Sequence, residues 1–102
     1  MKKKILVLGS SGQIGLHFCN YLKDKKYFVK KFDVCDGKRF DLRKYNNHLL
    51  EKSIKECDYI FFLAFDVGGS RYIKEFQSTF EFSMNNLKIM TNTFYLLAKY
   101  KK

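Results

Sequence analysis

Seven residues near the start, Gly9-Ser10-Ser11-Gly12-Gln13-Ile14-Gly15, carry the clearest chemistry in the chain. They follow a short apolar run, Ile5–Leu8, and precede a stretch whose apolar residues recur at helical spacing. A loop so placed suits a phosphate. Gly9 allows a tight turn off a strand, and Gly12 lets the backbone approach a pyrophosphate with no Cβ in the way. Gly15 lets the helix pack close to the sheet. The helix beginning at Gln13 offers unpaired N–H groups and the positive end of its dipole, so Ser11, Gln13 and Ile14 belong to the same candidate cradle. Asp33 is a second, independent signal, 18 residues after Gly15 at the end of the next predicted strand. A carboxylate about 20 residues beyond such a loop accepts hydrogen bonds from ribose hydroxyls. It also repels a 2′-phosphate, which favours NAD over NADP. Lys38 and Arg39, close by in sequence, pull the other way.

Other chemistries find no support. Cys19, Cys35 and Cys57 are odd in number and far apart, with no Cys-x-x-Cys and no Cys/His pairing. A zinc site and a disulfide framework are therefore not expected, and free thiols in a reducing cytosol are. His17 and His48 are widely separated, and no Ser/His/Asp arrangement can be built on them.

The elements that must position the loop can be read in order. Ile5–Leu8 is an unbroken apolar run closed by glycine, the pattern of a buried parallel strand. Gln13 to Lys25 predicts a helix with Ile14, Phe18, Tyr21 and Leu22 at helical spacing, and with lysines at its end, where cations suit the dipole. Tyr27–Val34 predicts a second strand. The polar stretch after it has room for only a very short strand near Arg39–Phe40. Asn46 to Glu56 predicts a helix capped by Asn46 or Asn47, with Leu49, Leu50 and Ile54 as its stripe. Asp58–Phe65 is the strongest strand signal, ahead of Gly68-Gly69. Arg71 to Phe80 reads as a short helix or loop. Phe82 to Tyr100 reads as a long helix with Leu87, Met90, Phe94 and Leu97 on one face. Alternation of this kind predicts an α/β fold: a Rossmann-type parallel sheet with helices on both faces, truncated to about four strands in the order 3-2-1-4.

Composition bounds the rest. The chain has 102 residues, 46% of them hydrophobic, enough for one packed domain and too many for a disordered segment. The longest apolar run, Tyr59 to Phe65, falls short of the roughly 20 residues that cross a bilayer. The start MKKKILVLG has too short an apolar stretch for a signal peptide, so a cytoplasmic location is expected. A net charge of +10 favours anionic partners such as nucleotides. The positives are spread over predicted helix surfaces and termini with no reader motif, which disfavours nucleic acid.

The spacing Gly9-x-x-Gly12-x-x-Gly15 resembles that of the extended short-chain dehydrogenases/reductases, the NAD-dependent epimerase/dehydratase family acting on sugar nucleotides. Gly12-Gln13-Ile14-Gly15-Leu16-His17 is similar to that family's helix start, with Leu16 in place of a small residue. Asp41-Leu42 resembles the pair that meets the adenine, the carboxylate at the exocyclic amine and the next backbone N–H at a ring nitrogen. Leu63-Ala64-Phe65 resembles the Leu-Ala-Ala end of the fourth strand, with Phe65 replacing an alanine. Asp66-Val67-Gly68-Gly69 is similar to the substrate-side loop of GDP-mannose 3,5-epimerases and their relatives, and Asn86, with Asn92 six residues on, matches the Asn-bearing helix that follows. The resemblance implies that residues 1–102 form the N-terminal NAD-binding half-domain of a longer enzyme. The catalytic Tyr-x-x-x-Lys and the substrate parts would then lie beyond it. The literal pattern occurs at Tyr21/Lys25, Tyr27/Lys31 and Tyr95/Lys99, in none of which is it in the implied place.

The expectation is therefore an NAD-binding portion of a sugar-nucleotide epimerase or dehydratase, inactive alone and meeting a nucleotide sugar only when completed by a missing segment. The alternatives are a non-enzymatic or relic module completed by a partner chain, and a basic nucleic-acid-binding protein. An exposed apolar face on the 82–100 helix and an open sheet edge would favour self-association.

Overall fold

A computed structural model of the chain describes residues 3–64 and 79–102. The elements run β1 (Lys4–Leu8), α1 (Gln13–Asp24), β2 (Phe28–Phe32), two single 3-10 turns (Val34–Asp36 and Lys38–Phe40), α2 (His48–Glu56), β3 (Tyr59–Phe62) and α3 (Phe80–Tyr100). The three strands form one parallel sheet in the order β2-β1-β3.

β1 takes the centre because Ile5, Leu6, Val7 and Leu8 are apolar on both faces, and all four are buried. Alternation sorts them. Leu6 and Leu8 join Phe32 under α2 and α3, which contribute Leu50, Ile54, Ile89 and Leu96. Ile5 and Val7 point the other way, onto Cys19 and Leu22 of α1. The chain moves one way across the sheet from β1 to β2 and back again to β3. Right-handed crossovers then place α1 and α2 on opposite faces and open a crevice where the direction reverses.

The structure departs from the sequence expectations at several points. No strand forms near Arg39–Phe40. Those residues make a 3-10 turn in which the Phe40 N–H donates to the Gly37 carbonyl (3.1 Å), and the Phe40 ring packs edge-on against Phe32 (ring centroids 5.1 Å apart). The Asn47 amide also takes the Arg39 carbonyl (3.1 Å), a group a strand would offer to β2. Among the described residues the sheet therefore has three strands, in the expected relative order. β2 and β3 are shorter than expected, and α2 starts at His48 with Asn47 as its cap, the side chain accepting from the Leu50 N–H (3.0 Å). On α1 the buried face is Gly15, Cys19 and Leu22, and Ile14 is left 72% exposed. Glycine, not the larger neighbour, marks the face that meets the sheet. The 71–80 expectation falls almost wholly outside the described residues, as does Phe65.

On α3 the inward residues are Ile89, Thr93 and Leu96, whereas Leu87, Met90 and Phe94 remain exposed, with Phe94 against Phe62 of β3 (5.5 Å). Among the described residues β3 pairs with β1 alone. No helix among them is long and apolar enough to cross a membrane.

Also among the described residues, Ser10 Oγ and Thr93 Oγ1 are buried without a hydrogen-bond partner. Exchanging the Thr93 hydroxyl for a methyl group removes an unsatisfied polar group at nearly constant shape. Thr93→Val is therefore expected to stabilise the chain by about 1 kcal/mol, read as a rise in the urea midpoint. A fall in the midpoint would show that the hydroxyl is bonded in solution.

Candidate functional site

The crevice over the C-terminal ends of the strands is a cleft of about 390 Å³. Its floor is the glycine loop. The Gly9 N–H donates to the Phe32 carbonyl at the end of β2 (2.8 Å), and Gly9 has φ +89°. A Cβ there would meet the Leu63 carbonyl carbon at 2.8 Å and Ala64 Cα at 2.9 Å. Gly9 is thus wedged between the ends of the two outer strands. Gly15 lies beneath, where a Cβ would overlap the Gly9 carbonyl oxygen.

Gly12 is different. Its backbone (φ −70°, ψ 172°) is open to any residue, and a Cβ would make only an ordinary contact, 3.6 Å from the Gly9 oxygen. It caps α1 without a side-chain hydrogen bond, and the first turn carries no acid. The start of α1 thus lies beside the cleft with neither a side-chain cap nor an acid in its first turn, and the nearest carboxylate is that of Asp33, bonded at Ser11 just ahead of the cap.

Across the cleft stands Asp33. One carboxylate oxygen accepts from the Ser11 N–H and the other from the Cys35 N–H, both at 2.9 Å. The carboxylate is fixed by backbone and keeps lone pairs for a further donor. It also pushes the exposed Cys35 thiol up, through the hydrogen bond and its charge. Burial raises the thiols of Cys19 and Cys57. All three cysteines are free, two buried and Cys35 exposed, and the described residues contain no cluster of potential metal ligands.

Asp41 and Leu42 line the far wall with Leu63, Ala64 and Ile89. Arg43 grips the Asp41 carboxylate in bidentate fashion, Nε to Oδ1 and Nη2 to Oδ2 at 3.0 Å each, and its N–H adds a third bond to Oδ1 (3.0 Å). Hydrogen bonding from Arg43 holds the Asp41 carboxyl below the usual carboxylate range. A depressed folded value means the pair stabilises the loop throughout the pH range above the ordinary carboxylate value and releases it only as pH falls through the lower one. A carbon-detected titration is expected to give Asp41 a midpoint below that range, and Arg43→Ala to move it back up. An unmoved midpoint would place the pair outside the solution structure.

The structure thus brings Gly9, Ser11, Gly12, Asp33, Asp41, Leu42, Leu63 and Ala64 to one cleft. Gln13 and Ile14 lie beside it in the first turn of α1. Asn86 is half-buried on α3, one turn before the cleft-lining Ile89. Phe65, Gly68 and Gly69 lie outside the described residues. Sequence reasoning missed Phe32, Val34, Cys35, Phe40, Arg43 and Ile89 as wall residues. Arg43, two residues from an acid, was the one with a visible signal. None of the Tyr-x-x-x-Lys pairs lines this cleft. Tyr95 and Lys99 border another, of about 350 Å³, between α2 and α3, and Lys99 is engaged there by Glu51 (2.8 Å). No glycine loop lines that second cleft, and the helix start that does, that of α2, is capped by the Asn47 side chain.

Comparison with known proteins points the same way. The family model described as NAD dependent epimerase/dehydratase family matches residues 5–102. The bifunctional polymyxin resistance protein ArnA of Wigglesworthia glossinidia brevipalpis is 34% identical over 115 aligned residues, covering 98% of this chain and 17% of that protein. The chain thus spans about a sixth of the length of this curated relative.

Proposed function

The chain belongs to the NAD dependent epimerase/dehydratase family, and from that premise we propose that it holds its nicotinamide dinucleotide in the cleft over β1, β2 and β3. The observation that carries this placement is Gly12. Gly9 and Gly15 answer to close backbone contacts within the chain, but nothing in the chain's own packing requires glycine at 12. A pyrophosphate that needs the backbone bare supplies the reason.

In this reading the first-turn N–H groups of α1, at Gln13 and Ile14, hold the phosphates. The Ser11 N–H is already engaged by Asp33, so Ser11 contributes its hydroxyl. Asp33 accepts from the adenosine ribose, and Asp41, Leu42, Leu63 and Ala64 frame the adenine. Because two backbone N–H groups fix it, the Asp33 carboxylate cannot swing away from a 2′-phosphate, which favours NAD over NADP. The opposing feature is an adjoining groove bordered by Lys38, Arg39, Arg43 and Lys44.

When bound, the cofactor supplies reversible acceptance of a hydride from a sugar carbon of a nucleotide sugar, the substrate class we propose. The described residues place no Tyr-x-x-x-Lys pair at the cleft to move the accompanying proton. The 102 residues are therefore proposed to be the cofactor-binding part of such an enzyme, inactive alone.

Calorimetric titration of the purified chain with NAD and NADP tests this. NAD is expected to bind at least about tenfold more tightly. Equal or reversed affinities would overturn the cofactor choice, and no binding by a folded chain would overturn the placement. The same preparation should yield no product from any nucleotide sugar.

A further inference from the structure

We propose that Asn92, on α3, is a positioning residue for the adenosine end of the dinucleotide, an inference that rests on the cleft reading above. Its side-chain amide donates to the Leu42 carbonyl (3.0 Å) and to the Lys44 carbonyl (3.3 Å), some fifty residues away in sequence. The stretch it grips carries Asp41, Leu42 and Arg43, which wall the cleft.

That stretch has no ladder of its own to hold it, since the short strand expected near Arg39–Phe40 does not form. Beyond its own turn bonds, from the Asp41 N–H to Lys38 (3.3 Å) and from the Lys44 N–H to Asp41 (3.1 Å), two asparagine amides tie it to the helices. Asn47, at the start of α2, donates to the carbonyls of Arg39 and Asp41 (3.1 Å each). Asn92 takes the next carbonyl, Leu42, and then Lys44. The two clamps fix consecutive peptide planes. The peptide bonds of the described residues are all trans, so with the Asp41 carbonyl held by Asn47 the Leu42 N–H points the opposite way. With the Leu42 carbonyl held by Asn92, the Arg43 N–H is turned to the Asp41 carboxylate, which it meets at 3.0 Å. The Asn47 clamp therefore sets the Leu42 N–H, while the position of the Asn92 amide sets the Arg43 N–H and, through it, the Asp41 carboxylate, the other adenine-facing group. Asn47 also caps α2, so its loss would unsettle a helix. Asn92 is half-buried on the surface of α3 and can be changed without that cost.

The test compares adenosine diphosphate with inorganic pyrophosphate, both titrated by NMR into the wild-type chain and into Asn92→Ala and Asn92→Asp. The second variant keeps the shape but sets an acceptor against two carbonyl oxygens. Adenosine diphosphate affinity is expected to fall about tenfold in both variants. Pyrophosphate affinity, which reports the glycine loop, should stay within about twofold. Equal loss of both ligands, or loss of neither, overturns the positioning role and leaves the cleft reading intact. A folded wild-type chain that binds neither ligand overturns both.

Discussion

Replacing Gly12 with serine is expected to lower dinucleotide affinity roughly 10- to 100-fold while leaving the chain as stable as before or slightly more so. The opposite signs come from one cause. The Gly12 backbone (φ −70°, ψ 172°) already has the extended geometry of a helix cap, and a new Cβ meets only the Gly9 oxygen at 3.6 Å. A serine hydroxyl there can accept from the Ile14 or Gly15 N–H, as capping serines do, for a gain of a few tenths of a kcal/mol. The Ile14 N–H is one of the donors proposed for the phosphate, and the side chain would stand in the phosphate's way. Calorimetry with NAD and a thermal melt on one preparation read both effects. If affinity holds, the phosphates lie elsewhere. If affinity and melting point fall together, Gly12 is a packing residue and its spacing has another explanation.

Gly15→Ala should do the reverse and unsettle the fold itself, by about 3 kcal/mol. Helix propensity alone favours alanine here by about 1 kcal/mol. The collision outweighs it. A Cβ at Gly15 would overlap the Gly9 carbonyl oxygen and lie 3.0 Å from Ser10 Cα. Both are backbone atoms on the turn out of β1, and no rotamer change moves them. Relief requires α1 to lift from the sheet, parting Cys19 and Leu22 from Ile5 and Val7. For a domain whose total stability is on the order of 5–15 kcal/mol, that loss is large. Urea denaturation should show a clearly lower midpoint with an unchanged slope. An unchanged midpoint would mean that α1 rides further from β1 than the structure has it. The pair of variants is expected to separate two glycines that look alike in the sequence: one held by close packing, the other by the ligand proposed for the cleft.

The glycine loop, Asp33 and the β-α-β order could be read from sequence because each depends on local rules. An apolar run closed by glycine, a helical period and a carboxylate at a set distance are all signals within a few dozen residues. The same holds for the cap of α2, expected at Asn46 or Asn47 and found at Asn47, but not for the face of α3, where Leu87, Met90 and Phe94 stay exposed and Ile89, Thr93 and Leu96 turn inward. What local rules cannot reach is which face of a helix turns inward and what holds an irregular segment. Ile14 has the right period for the core and stays in solvent, because Gly15 permits the closest approach to β1 and rotates the helix accordingly. Arg39 and Phe40 carry strand character, yet the carbonyl of Arg39 goes to Asn47, and the peptide conformation follows that partner. The grip of Asn92 on Leu42 and Lys44 spans about fifty residues and leaves no periodic trace. Hydrogen bonds between distant elements are chosen by three-dimensional proximity after the core has packed, so the shape of the cleft wall formed by Asp41, Leu42 and Arg43 was decided by the tertiary structure alone.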